Sequence, residues 1–272
     1  MNLFEQIYTF QTPFISSASG LLLHRNHFYI VADDERSLIC LPSNLEKCPT
    51  LIRLIEGELP EDKSLRKKMK PDFESIIHLP ANDTLLCLPS GSAVNRNICA
   101  LVDRDYRVTE LFLKNTYNQL REIFSELNIE GGVARGNMVR LFQRGNGKMK
   151  QNAIIEMELS SFLKDEMKDL RVRPTDLGDL KSIPLSFTDA CQVGSECFFL
   201  AVAENTESTY LDGEFLGAVL GKMNLNGDVM EIQPIDIPYK PEGLCIEGKN
   251  MYVVTDADDR TKASCLYKGL RA

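Results

Sequence analysis

Five short segments of the chain resemble one another and recur at nearly equal intervals. Each carries a hydroxyl or carboxylate side chain at the same place, and these five anchor positions are Ser19, Glu74, Glu130, Thr188 and Glu242. Successive anchors are 55, 56, 58 and 54 residues apart, and the step from the last anchor through both chain ends to the first is 49 residues. A period of this length that closes on itself is typical of a ring of repeated units.

Each anchor is followed by the same order of turns and strands. In the first repeat a polar turn at Arg25-Asn26 precedes an apolar strand over residues 28–31, a polar loop at Asp33-Asp34-Glu35 and a further strand over 38–41. Such apolar runs, bounded by Gly, Asn and Asp, are strand and hairpin signals. The pattern predicts an all-β fold, a five-bladed β-propeller that forms a single domain over residues 1–272.

The fifth repeat ends after its third strand, while an extra strand-like segment over residues 3–10 precedes the first anchor. We expect this N-terminal strand to close the last blade, because the pairing covers exposed sheet edges. A six-bladed ring with one degenerate blade and a β-sandwich are the alternatives. Two stretches interrupt the strand pattern: a helix with a capping-box-like start at Thr116, and a helix over residues 160–170 near the place of the third blade's last strand.

Composition argues against several classes of function. The 272 residues carry a net charge of −8, which argues against nucleic acid and anionic membrane surfaces as partners. No basic segment followed by an apolar core opens the chain, and no apolar run reaches the length of a membrane span, so we expect a cytoplasmic protein. The eight cysteines form no C-x-x-C pair, and six lie within or beside apolar strand-like runs, which indicates reduced thiols.

The innermost strands of a propeller line its central channel, so anchors in equal register are expected at similar depth around one axis. Carboxylates there repel one another unless they bind a cation, become protonated or stay hydrated. A ring of carboxylate and hydroxyl oxygens suits Ca2+, with Mg2+ or Mn2+ as alternatives, and it lacks the His or Cys ligands that favour zinc. The same spacing also fits polar residues around a water-filled channel.

The anchors and their neighbours resemble a known enzyme family. Their order is similar to that of the inward-pointing residues of the calcium-dependent apyrases, as are Ser19-Gly20-Leu21, Ile129-Glu130-Gly131-Gly132 and Tyr239-Lys240-Pro241-Glu242-Gly243. The resemblance implies a five-bladed propeller that hydrolyses nucleoside di- and triphosphates around an axial calcium. A closer resemblance, through Lys70-Pro71-Asp72-Phe73-Glu74 and Leu185-Ser186-Phe187-Thr188-Asp189, is to bacterial cytoplasmic proteins distantly akin to phytase-like esterase domains.

The chain departs from the apyrase pattern in two loops. Pro89-Ser90-Gly91-Ser92 lacks the Gly-Lys-Glu segment of that family, and Arg144 stands alone where the family has two adjacent arginines. Thr188 replaces a serine but keeps the oxygen. These departures favour metal binding over nucleotide hydrolysis.

Charged residues near the channel mouth are candidates for catalysis and substrate binding. Asp33 and Asp34 are candidate bases or metal-supporting residues, and Arg144 is a candidate clamp for a phosphate. The candidates for binding a substrate, expected to be a small anionic molecule, are the cations Arg96 and Lys70, together with Asp256 and Asp258 as support for the metal or for a hydroxylated ligand. For each loop aspartate, a turn-forming role is the alternative.

Three functions fit these residues. The first is a metal-dependent hydrolase of a phosphate ester, an anhydride or a related ester. The second is a non-catalytic propeller that binds a small ligand or a protein at its mouth, and the third is a lactonase or sugar-acting enzyme. Fold alone does not decide among them, and the sequence leaves substrate and oligomeric state open.

Overall fold

Strands dominate the computed structural model, which describes residues 4–206 and 213–271. Residue 3 of the predicted closing strand, and both ends of the predicted domain over 1–272, lie outside the described residues. The N-terminal strand is β1 (Glu5–Thr9). The first blade then contains β2 (Ala18–His24), β3 (His27–Ala32), β4 (Ser37–Pro42) and β5 (Thr50–Arg53).

The next two blades each bring a helix close to the strands. Helix α1 (Lys63–Met69) precedes the second blade, and α2 (Lys114–Ile123) follows it. The strands of the second blade are β6 (Phe73–Leu79), β7 (Thr84–Pro89), β8 (Ile98–Val102) and β9 (Val108–Phe112). The third blade contains β10 (Ile129–Arg135), β11 (Met138–Gln143), β12 (Ala153–Glu158), the short α3 (Leu159–Phe162) and β13 (Arg171–Pro174).

The last two blades complete the ring. The fourth contains β14 (Asp179–Leu180), β15 (Ile183–Val193), β16 (Glu196–Asn205), β17 (Glu214–Met223) and β18 (Val229–Ile235). The fifth contains β19 (Lys240–Glu247), β20 (Asn250–Asp256) and β21 (Cys265–Leu270), with β1 as its outer strand. All neighbouring strands are antiparallel, and the inner strands β2, β6, β10, β15 and β19 pack beside one another around the axis. The five-bladed β-propeller is therefore confirmed.

The closing strand is confirmed as well. β1 pairs with β21, from Glu5 opposite Lys268 to Thr9 opposite Cys265. Just beyond β1, the side chain of Phe10 is 0% exposed and joins the apolar cluster between the fifth and first blades. Pairing the two ends of the chain covers the outer edge of β21.

Apolar side chains fill the seams between neighbouring blades. Side chains alternate along a strand, so each blade presents apolar groups to the blade on either side. Between the third and fourth blades the ring of Phe187 lies 5.3 Å from those of both Phe142 and Phe199, measured between centroids. Between the fifth and first blades, Phe28 and Tyr252 are 4.8 Å apart. These seams pack each blade against its neighbours, so the inner strands lie side by side around the channel.

Both helix predictions need correction. Thr116 lies inside α2, and the cap comes from elsewhere: the backbone N–H groups of Asn115 and Thr116 each donate to the Asp165 carboxylate at 2.8 Å. The predicted helix over 160–170 is only α3, and β13 follows it. Asp165 adopts a φ of 59°, a left-handed conformation in which a right-handed helix cannot continue. No helix in the described part of the chain combines the length and the apolar character of a membrane span.

Candidate functional site

Every anchor residue occupies a β-bulge. The register between β6 and β7 shifts around Glu74, between Phe73 and Ser75, and the inner strands of the other four blades shift at their own anchors. A bulged residue is left out of the strand ladder, so its side chain can be redirected. The same irregularity recurs in all five blades, and in four of them the anchor side chain lines the axial cavity.

A cavity of about 570 Å³ occupies the channel mouth at which the inner strands begin. Four anchors line it, namely Ser19, Glu74, Glu130 and Glu242. Thr188 is not among its lining residues: its hydroxyl is fully buried and donates to the Pro241 carbonyl at 2.7 Å. All seven predicted loop residues reach the cavity, namely Asp33, Asp34, Lys70, Arg96, Arg144, Asp256 and Asp258.

A second layer of polar residues lies two positions before the anchors. Asp72, Asn128 and Lys240 precede Glu74, Glu130 and Glu242 in this way, and all three line the cavity. Sequence reasoning gave them no role. The available signal was their position, because each is a polar residue two places before the anchor of its repeat.

Arg144 joins the acidic residues of three blades. Its guanidinium lies 3.2 Å from Glu130 Oε1, 2.6 Å from Glu204 Oε2 and 3.8 Å from Glu242 Oε1. The side chain is almost fully buried. The neighbouring carboxylates outweigh its burial and raise the pKa of Arg144, so it stays charged. Glu204 is a further member of the site that sequence reasoning missed. It is the residue before the last of β16, and Arg144 directly follows β11.

Lys240 pairs with carboxylates of the fifth blade. Its Nζ lies 3.1 Å from Glu242 Oε1 and 2.7 Å from Asp258 Oδ1. Both Arg144 and Lys240 therefore lie near the same oxygen of Glu242, Oε1. The other oxygen, Oε2, is buried and has no hydrogen-bond partner within the described residues.

Three carboxylates of the first and second blades form a close group. One oxygen from each of Asp33, Asp72 and Glu74 lies within 4.8 Å of the other two. Lys70 Nζ binds Asp33 and lies 2.9 Å from Asp72 Oδ1, and Arg96 lies 2.7 Å from Asp72 Oδ2. The buried Oδ1 of Asp33 has no hydrogen-bond partner in the described structure. The group contains Glu74, which is one of the predicted metal ligands, together with Asp33 and Asp72, which were not among them.

Burial and charge separate the pKa values of these carboxyls. Burial and the nearby Glu130 and Asp72 raise the pKa of Glu74 well above its usual value. Burial also raises the pKa of Glu130, and although Arg144 opposes the shift, the value reaches about 7. Burial acts in the same direction on Asp33, but Lys70 outweighs it and the pKa of Asp33 falls below its usual range. Burial thus raises the pKa values of Glu74 and Glu130, while the neighbouring cation lowers that of Asp33.

The remaining predicted residues form the rim. Asp34 pairs with Arg66 of α1 at 2.6 Å and with Arg260, which ties the helix to the fifth blade. Asp256 accepts the backbone N–H of Asp258 at 2.7 Å, so the turn-forming role is present there. Asp34 therefore supports the rim, whereas Asp33 faces the close carboxylate group.

Sequence comparison assigns the chain to a family. The model of a family of unknown function, DUF6929, matches residues 14–269. The chain belongs to this family. No curated protein matches the sequence.

Similar solved structures share the fold of this DUF6929 member. A luciferin-regenerating enzyme has a TM-score of 0.52 at 9% identity, over 100% of this chain and 96% of its own. A putative glycosidase from Bacteroides thetaiotaomicron has a TM-score of 0.53 at 9% identity, over 93% and 86%. The Pan2 WD40 domain of Neurospora crassa has a TM-score of 0.50 at 8% identity, over 99% and 96%. At these identities the likeness shows the propeller fold alone.

The charges of this DUF6929 cavity nearly balance. Among the described residues that line it, ten are acidic and eight are basic, so the formal charge is −2. Asp33, Asp72 and Glu74 lie with two buried cations, Lys70 and Arg96, so three negative and two positive formal charges leave −1 in this group. Hard carboxylate oxygens are the ligands that Ca2+ and Mg2+ prefer. The unpartnered Asp33 Oδ1 fits such a cation.

Proposed function

We propose that the axial cavity is the active site of a metal-dependent hydrolase for a small anionic ester or anhydride. The observation that carries the proposal is that two groups of different chemistry line one cavity. The first and second blades contribute a close carboxylate group with an unpartnered oxygen, and the third to fifth blades contribute the buried cations Arg144 and Lys240 beside Glu130, whose pKa is raised to about 7.

Asp33, Asp72 and Glu74 would hold the divalent cation, with Ca2+ as the expected ion and Mg2+ or Mn2+ as alternatives. When bound, the cation would polarise an ester or phosphoryl oxygen and orient a water molecule. Lys70 and Arg96 compensate part of the local negative charge through Asp33 and Asp72. Ser19 lines the same cavity and offers a further oxygen.

Glu130 is the proposed general base. A base works best when its pKa is close to the pH at which it operates, and the pKa of Glu130 is about 7. Asn128 Nδ2 donates to Glu130 Oε1 at 2.6 Å and Arg144 donates to the same oxygen, so Oε2 is the oxygen left to accept a proton from water.

Arg144 and Lys240 are the proposed anion-binding pair. Both are buried and positively charged, and both lie against Glu242. A phosphate or carboxylate could take over some of their present contacts, because guanidinium groups bind such anions through two parallel hydrogen bonds. Burial of these cations makes the contact stronger than it would be in water.

The test combines ion binding with hydrolysis. Melting temperature is measured with Ca2+, Mg2+, Mn2+ or chelator for wild type, Glu74→Gln, Glu130→Gln and the control Glu110→Gln, which lies on the outer strand β9. An ion at one hundred times its Kd stabilises by about 2.7 kcal/mol, which corresponds to a rise of roughly 5–10 °C. We expect this rise in wild type, Glu130→Gln and Glu110→Gln, and its loss in Glu74→Gln.

Hydrolysis is then measured on p-nitrophenyl phosphate, bis-p-nitrophenyl phosphate and p-nitrophenyl acetate with the stabilising ion present. Removing a general base is expected to lower kcat by about 10²–10⁴-fold, so Glu130→Gln should lose activity while Glu110→Gln keeps it. The absence of a shift with every divalent ion would exclude the metal site. Activity that Glu130→Gln retains in full would exclude the proposed base.

The second candidate is a non-catalytic propeller that binds a small ligand. The pairing of Arg144 and Lys240 with built-in carboxylates favours it, because the network is already close to neutral without an ion. Stabilisation by a small anion such as phosphate, with no turnover of any of the three substrates, would select this function.

A further inference from the structure

Two histidines and an aspartate meet at the end of the inner strands that lies away from the axial cavity. His24 is the last residue of β2, His78 is near the end of β6, and Asp83 is in the turn between β6 and β7. His24 is five residues beyond Ser19 and His78 is four beyond Glu74, which places them roughly 13–17 Å along the strands from the anchors. None of the three residues lines the axial cavity.

The two imidazole rings direct the same nitrogen at one oxygen. His24 Nε2 lies 2.8 Å from Asp83 Oδ1, and His78 Nε2 lies 3.1 Å from it. The ring centroids are 4.1 Å apart with planes 32° apart. One histidine comes from the first blade and the other from the second, so the group spans the seam between them.

These distances approach those of a metal site. Zinc bonds to imidazole nitrogen and carboxylate oxygen are about 2.0–2.1 Å long, so two ligand atoms of a tetrahedral site lie roughly 3.3–3.4 Å apart. The two observed nitrogen–oxygen separations fall short of that by only a few tenths of an ångström, and all three ligand atoms lie within 4.8 Å of one another. Small rotations of the side chains would therefore admit an ion.

The site is also open and chemically suited. The side chains of His24, His78 and Asp83 are 24%, 27% and 33% exposed, so an ion can reach them and water can supply a fourth ligand. Arg25 pairs with Asp83 Oδ2 and leaves Oδ1 facing the rings. Imidazole with one carboxylate suits Zn2+, Ni2+ and Cu2+ better than Ca2+, and above pH 7 an ordinary imidazole is mostly in the neutral form that binds metals.

We propose that His24, His78 and Asp83 bind a divalent transition-metal ion such as Zn2+. The ion joins the first two blades and leaves one coordination position open to water. The site is separate from the axial cavity in place and in ligand chemistry.

The chain offers a matched control because it has three histidines. His27 is three residues from His24, but its Nδ1 lies 2.9 Å from the Arg25 carbonyl and it is not part of the group. Zn2+ binding is measured by titration calorimetry on metal-free wild type, His78→Ala, Asp83→Asn, His27→Ala and Glu74→Gln. Glu74→Gln reports any Zn2+ held in the axial cavity.

We expect one Zn2+ per chain at this site in wild type, with unchanged affinity in His27→Ala and Glu74→Gln. The affinity should fall at least about tenfold in His78→Ala and in Asp83→Asn, because each removes one of three ligands. Circular dichroism checks that both variants fold, and the His24 and His78 proton resonances of wild type should shift on adding Zn2+ while that of His27 stays. Absent binding, or equal affinity in wild type and both ligand variants, would overturn the site, as would loss of affinity in Glu74→Gln alone.

Discussion

The buried guanidinium of Arg144 provides a quantitative test of the axial network. Arg144→Met keeps much of the side-chain volume but leaves Glu130, Glu204 and Glu242 without their shared cation. Removing one partner of a buried ion pair costs about 3–5 kcal/mol, because the remaining charge is uncompensated. For a chain of this size that loss corresponds to a fall in Tm of roughly 6–20 °C.

The loss should depend on pH in a defined direction. Burial raises the pKa of Glu204 but Arg144 outweighs it, and in wild type the pKa of Glu204 is below its usual value. Without the guanidinium the pKa values of all three carboxyls rise, so folding favours their protonated forms. The destabilisation should therefore be greatest near pH 8 and should shrink as the pH falls towards 5.

Far-UV circular dichroism on heating and in urea is the appropriate measurement, since the chain has no tryptophan. Arg107→Met is the control: its side chain is 77% exposed and, within residues 4–206 and 213–271, its ion pairs are with the surface residues Asp103 and Asp105, so its removal should cost less than about 1 kcal/mol. Equal losses in the two variants, or a loss in Arg144→Met that grows at low pH, would refute a buried guanidinium among carboxylates.

Three further outcomes are expected. The pKa of Glu130 in the folded state, about 7, exceeds its value in the unfolded state, so the free energy of unfolding of wild type should fall as the pH rises from about 4.5 to 7. Glu130→Gln should reduce this slope by up to about 1.4 kcal/mol per pH unit, which urea unfolding at several pH values measures. Asp189→Ala should lower the free energy of unfolding by about 1–3 kcal/mol, because the Asp189 side chain accepts hydrogen bonds at 2.7 Å from the backbone N–H groups of Ala190 and, in the neighbouring blade, Leu244. The exposed turn residue Asp176 is the control, and an equal loss in Asp176→Ala would contradict this explanation. Phe10→Ala should cost about 3–5 kcal/mol and Phe14→Ala, at 44% exposure, less than about 1 kcal/mol; similar thermal midpoints would argue against the closing role of the N-terminal segment.

Local patterns were sufficient to predict the blades. A turn equivalent to Arg25-Asn26, with a strand on each side, recurs in every repeat. Strands are predicted from the alternation of apolar and polar residues, which is a pattern of neighbouring residues. The helices were predicted less well for the same reason. Asp165 caps α2 from about fifty residues away, which no local capping pattern can reveal.

Part of the candidate site could likewise be predicted from local sequence patterns, and part could not. Its anchors were readable because each occupies the same bulge of its own hairpin, which is a property of one repeat. The pairing of charges is different: Lys70, predicted only as a cation near the channel mouth, pairs with Asp33 and Asp72 in the structure. Which charge pairs with which was therefore not readable from the repeat.

The sequence by itself determined the number of blades, the closing strand and the register that sends equivalent residues towards one axis, because these follow from hydrophobic alternation and turn residues within each unit. Only the tertiary structure decided that Arg144 of the third blade meets Glu204 of the fourth and Glu242 of the fifth. Ring closure brings those side chains together, and burial then sets the strength of their interaction and their pKa values. Neither effect is encoded in any single repeat.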